Sequence, residues 1–380
     1  MDEPETESAD VSTRPQRLVF HIGDYKTGST SIQYAYAGGK VRFGGDASVV
    51  YPTNNQHNSL IRPIKTVGIG ESHKVYSRAV GKLTQLAETI RTSSTSYGLI
   101  SGETLQDVKP QLFRQVVDEY FRDQAADQVR VVAYVRPHAA RLLSSFAEQS
   151  KLGWFQGSLE QFSRRTERLG RFSYFDRFSG WQEQFGDEFV LRPMIRSELR
   201  NQSVIDDFTA VAFDTSDFEV VGHADANQSL SLSDLVGVRF VQARYQEKGK
   251  WLRHALGCEL ARLLAAQPPV DQEGDDQPAP KPERVQLHRE LAEQVHAFYI
   301  EDAKKMDQVF FDGRPLLQTE LDQALENSLP EPQPLDVDAH FSAASQRQLG
   351  AMADLVVGML DQDVPWSNHF RQETLTAQLA

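Results

Sequence analysis

Short apolar runs alternate along the chain with longer stretches in which apolar residues recur every three or four positions. Four of the runs, bounded by glycine or polar residues, predict buried strands at residues 18–22, 97–100, 129–135 and 189–191. Buried strands that alternate with amphipathic helices are typical of a parallel sheet with helices on both faces. The pattern therefore predicts an α/β fold, whose ligands bind beyond the carboxyl ends of the strands.

Helical periodicity follows the first three predicted strands. A helix is predicted to begin near Thr27, and others over residues 113–120 and 139–153. After residue 230 the chain is predicted to be mostly helical, with one helix over 286–310. A last helix has an apolar stripe that we expect to pack on the same chain or on a partner, formed by Leu349, Met352, Val356 and Leu360.

Polar segments suggest the domain boundaries. Residues 1–16 offer almost nothing to bury and are predicted to be a disordered acidic tail. Residues 17–325 are predicted to form one α/β domain, with an exposed insertion rich in proline and acid near 265–285. Residues 326–380 are predicted to be a polar linker, over 326–338, followed by the terminal amphipathic helix.

Composition narrows the classes of function. The chain has 380 residues, a net charge of −13 and one cysteine, Cys258. This charge argues against a nucleic-acid partner, because duplex binding needs a basic face. A single cysteine excludes an internal disulfide framework and a cysteine-based metal cluster. The first 17 residues lack an apolar core, and no apolar run approaches 18 residues, so we expect a cytoplasmic protein without an integral membrane segment.

The stretch HIGDYKTGSTSIQ follows the first strand and has the pattern of a phosphate-binding loop. Gly23 and Gly28 allow backbone N–H groups to turn towards an anion, and the helix that begins there adds the positive end of its dipole. Ser29 and Thr30 place two hydroxyl donors in the first turn. Lys26, however, stands two residues before Gly28, whereas a Walker loop has its lysine directly after the second glycine.

A basic residue at the end of the third strand forms a second candidate anion site. Arg136 follows the strand, and Ser144 comes eight residues later in the predicted helix. A helix that begins near Pro137 brings Ser144 back within about two turns, near 11 Å of rise, so that both side chains would flank one anion.

Jointly, the two motifs resemble the sulfotransferases that use 3′-phosphoadenosine-5′-phosphosulfate (PAPS). The loop is more closely similar to that of bacterial sulfotransferase-like proteins, H-[IV]-G-x-x-K-T-G-[ST]-T. The resemblance covers roughly residues 17–312. Further segments that agree with it are YPTNNQHNSL, GLISGE, YFDRFSGWQEQFGDEFVLRP, NQSLS and FYIEDAKKMDQVFF.

This resemblance implies a three-layer, P-loop-like fold with a mostly helical C-terminal part, and PAPS as the co-substrate. The 5′ phosphosulfate would be held by Lys26, Thr27, Gly28, Ser29 and Thr30. The 3′-phosphate would be held by Arg136 and Ser144. Lys26 would stabilise the charge that develops on the leaving 5′-phosphate. No metal is expected, because a sulfuryl group carries less charge than a γ-phosphate.

Two side chains are candidates for the general base that removes the proton of the acceptor. Glu103 ends GLISGE at the same sheet edge as the loop, and it also suits the role of capping the following helix. His57, in QHNSL, is the second candidate, as a base or as a contact for the acceptor. His21 is expected only to pack or to form a hydrogen bond at the strand end.

Arginine is concentrated between residues 164 and 200, where eight arginines and no lysine occur. Most are expected to be solvated charges paired with nearby acids. Arg192 follows the fourth strand and is expected at the binding edge, next to the anionic donor. Asn227 and Ser229, in NQSLS, are expected to close over the donor.

The resemblance therefore implies a PAPS-dependent sulfotransferase acting on a hydroxyl or amine of a small molecule or glycan. Carbohydrate is preferred, because Glu103 would be similar to the glutamate base of glycosaminoglycan-type sulfotransferases. Two alternatives stay open at this point. One is a nucleotide kinase or NTPase with a variant P-loop, which the displaced Lys26 and the lack of a convincing Walker-B acid disfavour. The other is a noncatalytic scaffold that retains the fold. The sequence does not specify an oligomeric state.

Overall fold

The computed structural model of the chain describes residues 14–53, 55–222, 230–267 and 283–360. Its strands are β1 (Arg17–His21), β2 (Val41–Phe43), β3 (Val49–Val50), β4 (Tyr97–Ser101), β5 (Gln128–Val135), β6 (Phe189–Pro193) and β7 (Phe218–Val220). Five of them form a parallel sheet in the order β3-β4-β1-β5-β6. The other two, β2 and β7, pair as a short antiparallel ribbon.

Thirteen α-helices lie within the described residues. They are α1 (Ser29–Ala37), α2 (Ile61–Ile69), α3 (Tyr76–Arg91), α4 (Pro110–Tyr120), α5 (His138–Lys151), α6 (Leu159–Arg168), α7 (Phe175–Phe185), α8 (Val204–Phe213), α9 (Leu232–Ala243), α10 (Lys250–Ala266), α11 (Arg289–Phe310), α12 (Leu316–Glu326) and α13 (Ala343–Leu360). The predicted α/β fold class, with a mainly parallel sheet flanked by helices and a helical C-terminal part, is confirmed.

The four predicted strands correspond to β1, β4, β5 and β6, with ends that differ by at most two residues. The first helix begins at Ser29 and not near Thr27 as predicted, because Gly28 adopts a left-handed conformation with φ of 81° that an α-helix cannot contain. The strands β2, β3 and β7 are only two or three residues long, too short to produce a recognisable alternation.

Two compact units make up the chain. The first comprises Met1–Arg136 and Asp176–Ala224, and the second comprises Pro137–Phe175 and Asp225–Ala380. All seven strands listed above belong to the first unit, whereas the described part of the second unit is helical. The predicted domain boundaries stay a prediction.

In the first unit, side chains alternate between the two faces of the sheet. Val19 of β1 points to a core that includes Ile32 of α1 and Phe208 of α8. Its neighbour Phe20 points to the opposite face, where its ring lies 5.4 Å from that of Phe113 on α4. Both faces are therefore covered by helices of the same unit, which is why the strands are almost uniformly apolar.

The helices that follow β1 and β4 pack on opposite faces of the sheet, α1 on one and α4 on the other. Such a divergence between neighbouring strands opens a crevice beyond their carboxyl ends, where open α/β sheets bind ligands. The register pairs His21 of β1 with Ser101 of β4, so the loops after these two strands start side by side.

In the second unit, buried polar side chains tie helices and loops together. Arg239 on α9 donates to Ser150 Oγ (2.8 Å) and to the carbonyl oxygens of Gln156 (2.8 Å) and Gly157 (3.0 Å). The segment predicted as a free linker is also held, because Leu329 donates its N–H to Leu287 O (2.9 Å). Of the predicted insertion, residues 268–282 lie outside the described residues.

The terminal helix α13 packs through small residues and not through the centre of its predicted apolar stripe. Gly350 and Ala353 are buried, and Ala353 O accepts a hydrogen bond from the hydroxyl of Tyr245 (3.2 Å), just beyond α9. Met352 of the predicted stripe is 67% exposed. None of the helices in the described ranges has the length and apolar content needed to cross a bilayer.

Candidate functional site

The loop after β1 lies at the carboxyl edge of the sheet and leads directly into α1. Two of its residues have left-handed backbone conformations, Lys26 with φ of 66° and Gly28 with φ of 81°. Glycine adopts this conformation without strain, whereas a lysine there has a cost of roughly 1 kcal/mol or more. The loop therefore holds Lys26 in a conformation that its own side chain disfavours.

The N-terminus of α1 offers backbone donors to a ligand. The first bond of the helical ladder runs from Ile32 N–H to Gly28 O (3.2 Å), so the N–H groups of Ser29, Thr30 and Ser31 precede the ladder. With the positive end of the helix dipole, these groups favour an anion. The side chain of Thr30 is half-buried, whereas that of Ser29 is only 1% exposed.

Close packing explains both glycines of the loop. A Cβ atom on Gly28 would lie 3.0 Å from Val204 Cγ1 and 3.2 Å from Met194 Cε, so glycine is needed there for space as well as for its φ. A Cβ on Gly23 would overlap the hydroxyl of Ser29. That hydroxyl is buried and has no hydrogen-bond partner among the described residues, so it lies under the loop, where it can orient the turn or complete a ligand's hydrogen bonds.

Asp24 organises the first half of the loop. Its Oδ1 accepts the N–H of Tyr25 (2.8 Å), and its carbonyl oxygen accepts the hydroxyl of Thr27 (2.5 Å). Its Oδ2 lies 3.1 Å from Nη2 of Arg177, on α7. Asp24 is 1% exposed, so this carboxylate is buried within the candidate anion site and is balanced by a guanidinium.

Arg136 contacts the second half of the loop. It follows β5 directly, and its Nη1 donates to the carbonyl oxygen of Lys26 (3.1 Å). The two residues that the sequence places at the two candidate anion sites are thus brought into contact. Because Arg136 is half-buried and has further N–H groups, it can bind an anion while it holds the loop.

A buried polar cluster connects β1, β4 and α1 below the loop. Ser101 Oγ lies 2.8 Å from His21 Nδ1 and accepts a hydrogen bond from Gln33 Nε2 (3.2 Å). The hydroxyl hydrogen of Ser101 is then free to bond His21 Nδ1, which leaves the imidazole proton on Nε2. Burial lowers the pKa of His21 to about 3, so this imidazole is neutral. The prediction that His21 forms a hydrogen bond at the strand end agrees with these contacts.

His57 contacts the backbone of the same serine. Its Nδ1 lies 3.1 Å from Ser101 N and 3.3 Å from Ser101 O, and the shorter contact makes Nδ1 an acceptor of the Ser101 N–H. The proton of the neutral ring is then on Nε2. Burial lowers the pKa of His57 to about 4, against the smaller opposing effect of the Ser101 carbonyl oxygen, which favours a proton on Nδ1. Such an imidazole is a weak proton acceptor near neutral pH, so we leave His57 out of the proposed chemistry.

Glu103 lies at the start of the 3₁₀ turn Glu103–Asp107, directly beyond β4. The preceding Gly102 donates its N–H to His21 O (3.0 Å), which fixes the start of the turn against the end of β1. Tyr25 of the loop donates its hydroxyl to Asp107 Oδ2 (3.1 Å). Burial, and next the charge of Asp107, raise the pKa of Tyr25, with a smaller contribution from Glu103, so Glu103 lies within electrostatic reach of the loop.

Arg192, expected next to the donor, is engaged in an ion pair. Its Nη2 and Nε donate to the two oxygens of Asp207 (2.7 and 3.0 Å), and Nη2 also donates to Glu198 O (3.0 Å). Asp207 further accepts the hydroxyl of Tyr134 (2.7 Å) and the N–H of Arg200 (3.1 Å). These contacts give Arg192 a structural role, and we leave it out of the proposed donor site.

The other predicted site residues lie apart from this description. Ser144 is half-buried on α5, in the second unit. Asn227 and Ser229 lie outside the described residues. Among the residues that the structure describes, no three histidine, cysteine, aspartate or glutamate side chains gather closely enough to hold a metal ion.

Sequence reasoning missed the carboxylate of Asp24 and its partner Arg177. The concentration of arginines between 164 and 200 and the segment YFDRFSGWQEQFGDEFVLRP both include Arg177, but nothing distinguished it from its neighbours. The polar cluster around Ser101 was also missed, because a serine within an apolar strand carries no pattern of its own.

No protein-family model matches the chain, and none of the curated proteins matches it. Among solved structures, the chain is similar to a sulfotransferase from Alicyclobacillus acidocaldarius, with 13% sequence identity. The match covers 80% of this chain and 99% of that chain, and its TM-score is 0.37. A likeness of this size carries no functional conclusion, so the functional hypothesis depends on the residues of this chain.

Proposed function

We propose that this protein is a sulfotransferase that transfers a sulfuryl group from PAPS to a hydroxyl or amine of an acceptor. The observation that carries the proposal is the contact between Arg136 Nη1 and Lys26 O, 3.1 Å, beside the N-terminus of α1. It joins the two motifs of the sequence resemblance at the carboxyl edge of one parallel sheet.

The residues of the first unit fit an anionic donor. Two cations, Lys26 and Arg136, flank a turn whose backbone N–H groups precede the helical ladder of α1. Gly28 leaves no room for a side chain, and the buried hydroxyl of Ser29 lacks a partner among the described residues. We propose that Lys26, Thr30 and the backbone from Thr27 to Ser29 hold the 5′ phosphosulfate, and that Arg136 holds the 3′-phosphate. The sequence-based assignment of Ser144 to the 3′-phosphate stays a prediction.

When it is bound, the donor supplies the sulfuryl group, and its 5′-phosphate departs with the negative charge. The ammonium of Lys26 stabilises that charge, which is the kind of electrostatic contribution that accelerates group transfer most. Arg136 holds the Lys26 carbonyl oxygen and so limits the positions that the ammonium reaches. A carboxylate oxygen of Glu103 takes the proton of the acceptor, a contribution of typically 10²–10⁴-fold.

The acceptor and the cellular location belong to the proposal on sequence grounds. We propose a carbohydrate or another small molecule as the acceptor, because a glutamate is the candidate base. We propose the cytoplasm as the location, because a chain with a single cysteine suits a reducing compartment.

The direct test is calorimetric binding of 3′,5′-adenosine bisphosphate, the product of the donor. We expect the wild-type protein to bind it, and we expect Lys26→Ala and Arg136→Ala each to weaken binding about tenfold or more, since each removes a charged contact. Arg78→Ala and Lys82→Ala, on the exposed face of α3, are the matched controls and should leave the affinity unchanged.

Absence of binding at high micromolar concentration, or binding that Arg136→Ala does not change, would contradict the proposal. Magnesium-dependent ATP hydrolysis by the wild-type protein would favour the NTPase alternative. If binding is found, labelled sulfate followed in cells with and without the gene identifies the acceptor, and unchanged sulfated products with Lys26→Ala would favour a noncatalytic scaffold.

A further inference from the structure

The loop of the candidate site contains a buried negative charge, which is unexpected next to an anionic ligand. Asp24 stands two residues before Lys26, and it is 1% exposed. Its Oδ1 and its carbonyl oxygen accept hydrogen bonds from Tyr25 N–H and Thr27 Oγ1, within the turn that contains Lys26. The conformation of this turn therefore depends on where the Asp24 side chain is held.

Arg177 on α7 holds that side chain from outside the loop. Its Nη2 lies 3.1 Å from Asp24 Oδ2, and its Nη1 donates to Gln106 Oε1 (3.0 Å) in the turn after β4. The guanidinium also lies over the ring of Phe178, 4.7 Å from its centroid. Contacts on several sides give the guanidinium one position, as suits a planar group with a fixed set of donors.

The charge of Asp24 makes this contact important for binding. A carboxylate that lacks a cation would repel a phosphosulfate at the adjacent helix N-terminus, and its burial weakens the screening by water. Arg177 balances the carboxylate, and this reduces the repulsion between Asp24 and an anionic ligand.

The contact between Arg177 and Asp24 also supports the strained backbone of the loop. Lys26, with φ of 66°, is held at its carbonyl oxygen by Arg136. On the N-terminal side of Lys26, the hydrogen bonds of Asp24 hold the turn, and Arg177 fixes the Asp24 carboxylate. Loss of either support allows Lys26 to relax from its left-handed conformation.

We propose that Arg177 is a positioning residue of the donor site, which acts through Asp24. It fixes the loop that carries Lys26 and neutralises a carboxylate that would otherwise oppose an anionic donor. This inference rests on the proposed function, because the ligand it concerns is the phosphosulfate donor.

The first experiment is a double-mutant cycle that measures affinity for 3′,5′-adenosine bisphosphate. We expect Arg177→Met to weaken binding about tenfold or more, because it removes the guanidinium that contacts the buried Asp24 carboxylate. Asp24→Asn keeps an acceptor for Tyr25 N–H and removes the negative charge, so it should weaken binding less than Arg177→Met does. The double variant should then bind within about threefold of Asp24→Asn.

If Arg177 instead contacts the donor directly, Arg177→Met weakens binding by the same factor in the wild-type protein and in the Asp24→Asn variant. That result would overturn the proposal. Arg78→Met is the control for removal of an exposed arginine from the same unit. Circular dichroism checks folding. If Arg177→Met does not fold, Arg177→Gln, which removes the charge but keeps a side-chain hydrogen-bond donor, takes its place.

The second experiment needs no nucleotide and so separates this inference from the proposed function. Amide hydrogen exchange of Tyr25, whose N–H is bonded to Asp24, should become about tenfold faster in Arg177→Met and should not change in Arg78→Met. Unchanged exchange at Tyr25 overturns the positioning role even if the nucleotide binds. Failure of the wild-type protein to bind the nucleotide, with exchange altered as expected, contradicts the proposed function and leaves the loop-positioning role supported.

Discussion

At the scale of single residues, the carboxyl edge of the sheet is held by neutral histidines. His21 and His57 both contact Ser101 at the end of β4, one through the hydroxyl and the other through the backbone. Both rings are buried, and the Nε2 atom of each has no hydrogen-bond partner within the described residues. Their burial favours the neutral form, so protonation must oppose folding.

We predict that the protein loses stability in mild acid. In the unfolded chain the pKa of His57 is near 6.5, whereas in the folded protein it is about 4. The unfolded state therefore binds more protons between these values. Above pH 6.5, the titration of His57 does not lower the free energy of unfolding. As the pH decreases from 6.5 towards 4, it lowers the free energy of unfolding by about 1.4 kcal/mol per pH unit.

Chemical denaturation at pH 6.5 and pH 5.5 measures this loss. In His57→Asn, the amide oxygen can still accept Ser101 N–H, and the loss between the two pH values should be smaller by about 1 kcal/mol. The control is His73→Asn, because His73 also accepts a backbone N–H at Nδ1, from Val75 (3.4 Å), but is half-exposed. An equal loss in the wild type and His57→Asn would contradict the prediction.

At the scale of secondary-structure elements, the ion pair of Arg192 and Asp207 joins β6 to α8. The hydroxyl of Tyr134 adds β5 to this group, and burial together with Asp207 raises the pKa of Tyr134, so its hydroxyl stays a donor. Asp207 is almost fully buried. Its charge is therefore tolerated only because several donors surround it.

We predict that Arg192→Met destabilises the fold and does not weaken nucleotide binding. Removal of one partner leaves the buried carboxylate of Asp207 uncompensated, which should lower the free energy of unfolding by about 3 kcal/mol. Affinity for 3′,5′-adenosine bisphosphate in the folded fraction should stay within about threefold of the wild type. Arg196→Met, at an exposed position in the same unit, is the control and should change stability by less than about 0.5 kcal/mol.

Urea denaturation and calorimetry together test this prediction. Unchanged stability with a large loss of affinity would return Arg192 to the donor site, as the sequence suggested.

At the scale of the whole molecule, a net charge of −13 coexists with a site for an anionic ligand. The positive groups next to the proposed ligand are few and local. They are Lys26, Arg136 and the N-terminal end of the α1 dipole. From this global charge we expect repulsion between copies in neutral solution and no nucleic-acid partner.

We predict that the charge repulsion between copies of the protein disappears near the calculated isoelectric point of about 5.3. Light scattering in buffer with about 0.15 M salt should show monodisperse protein at pH 7.5 and association close to pH 5.3, because the repulsion between copies vanishes there. Circular dichroism at the same pH distinguishes association of folded protein from acid unfolding. A clear, monodisperse and folded solution at pH 5.3 would contradict this expectation.

How much of the fold the sequence predicts depends on the length of each element. The β5 strand was predicted almost to its ends, because six of its eight residues are apolar and four of these are β-branched valines. The ribbon of β2 and β7 was not predicted, because its pairing joins Val41 to Val220 across most of the first unit. The packing face of α13 was also not predicted. Its buried residues are Gly350 and Ala353, which are small and allow close packing, and they do not form a stripe of large apolar side chains.

By itself, the sequence predicted four of the five strands of the parallel sheet, the glycine loop, and the cations Lys26 and Arg136. It did so because these features depend on local periodicity and on backbone conformations that few residues adopt. Only the tertiary structure decided which side chains meet across the sheet edge. Asp24 and Arg177 are far apart in the chain and meet only in the folded protein. Arg177 and Arg192 are the same type of residue, and they differ in the carboxylate that each contacts, Asp24 for Arg177 and Asp207 for Arg192.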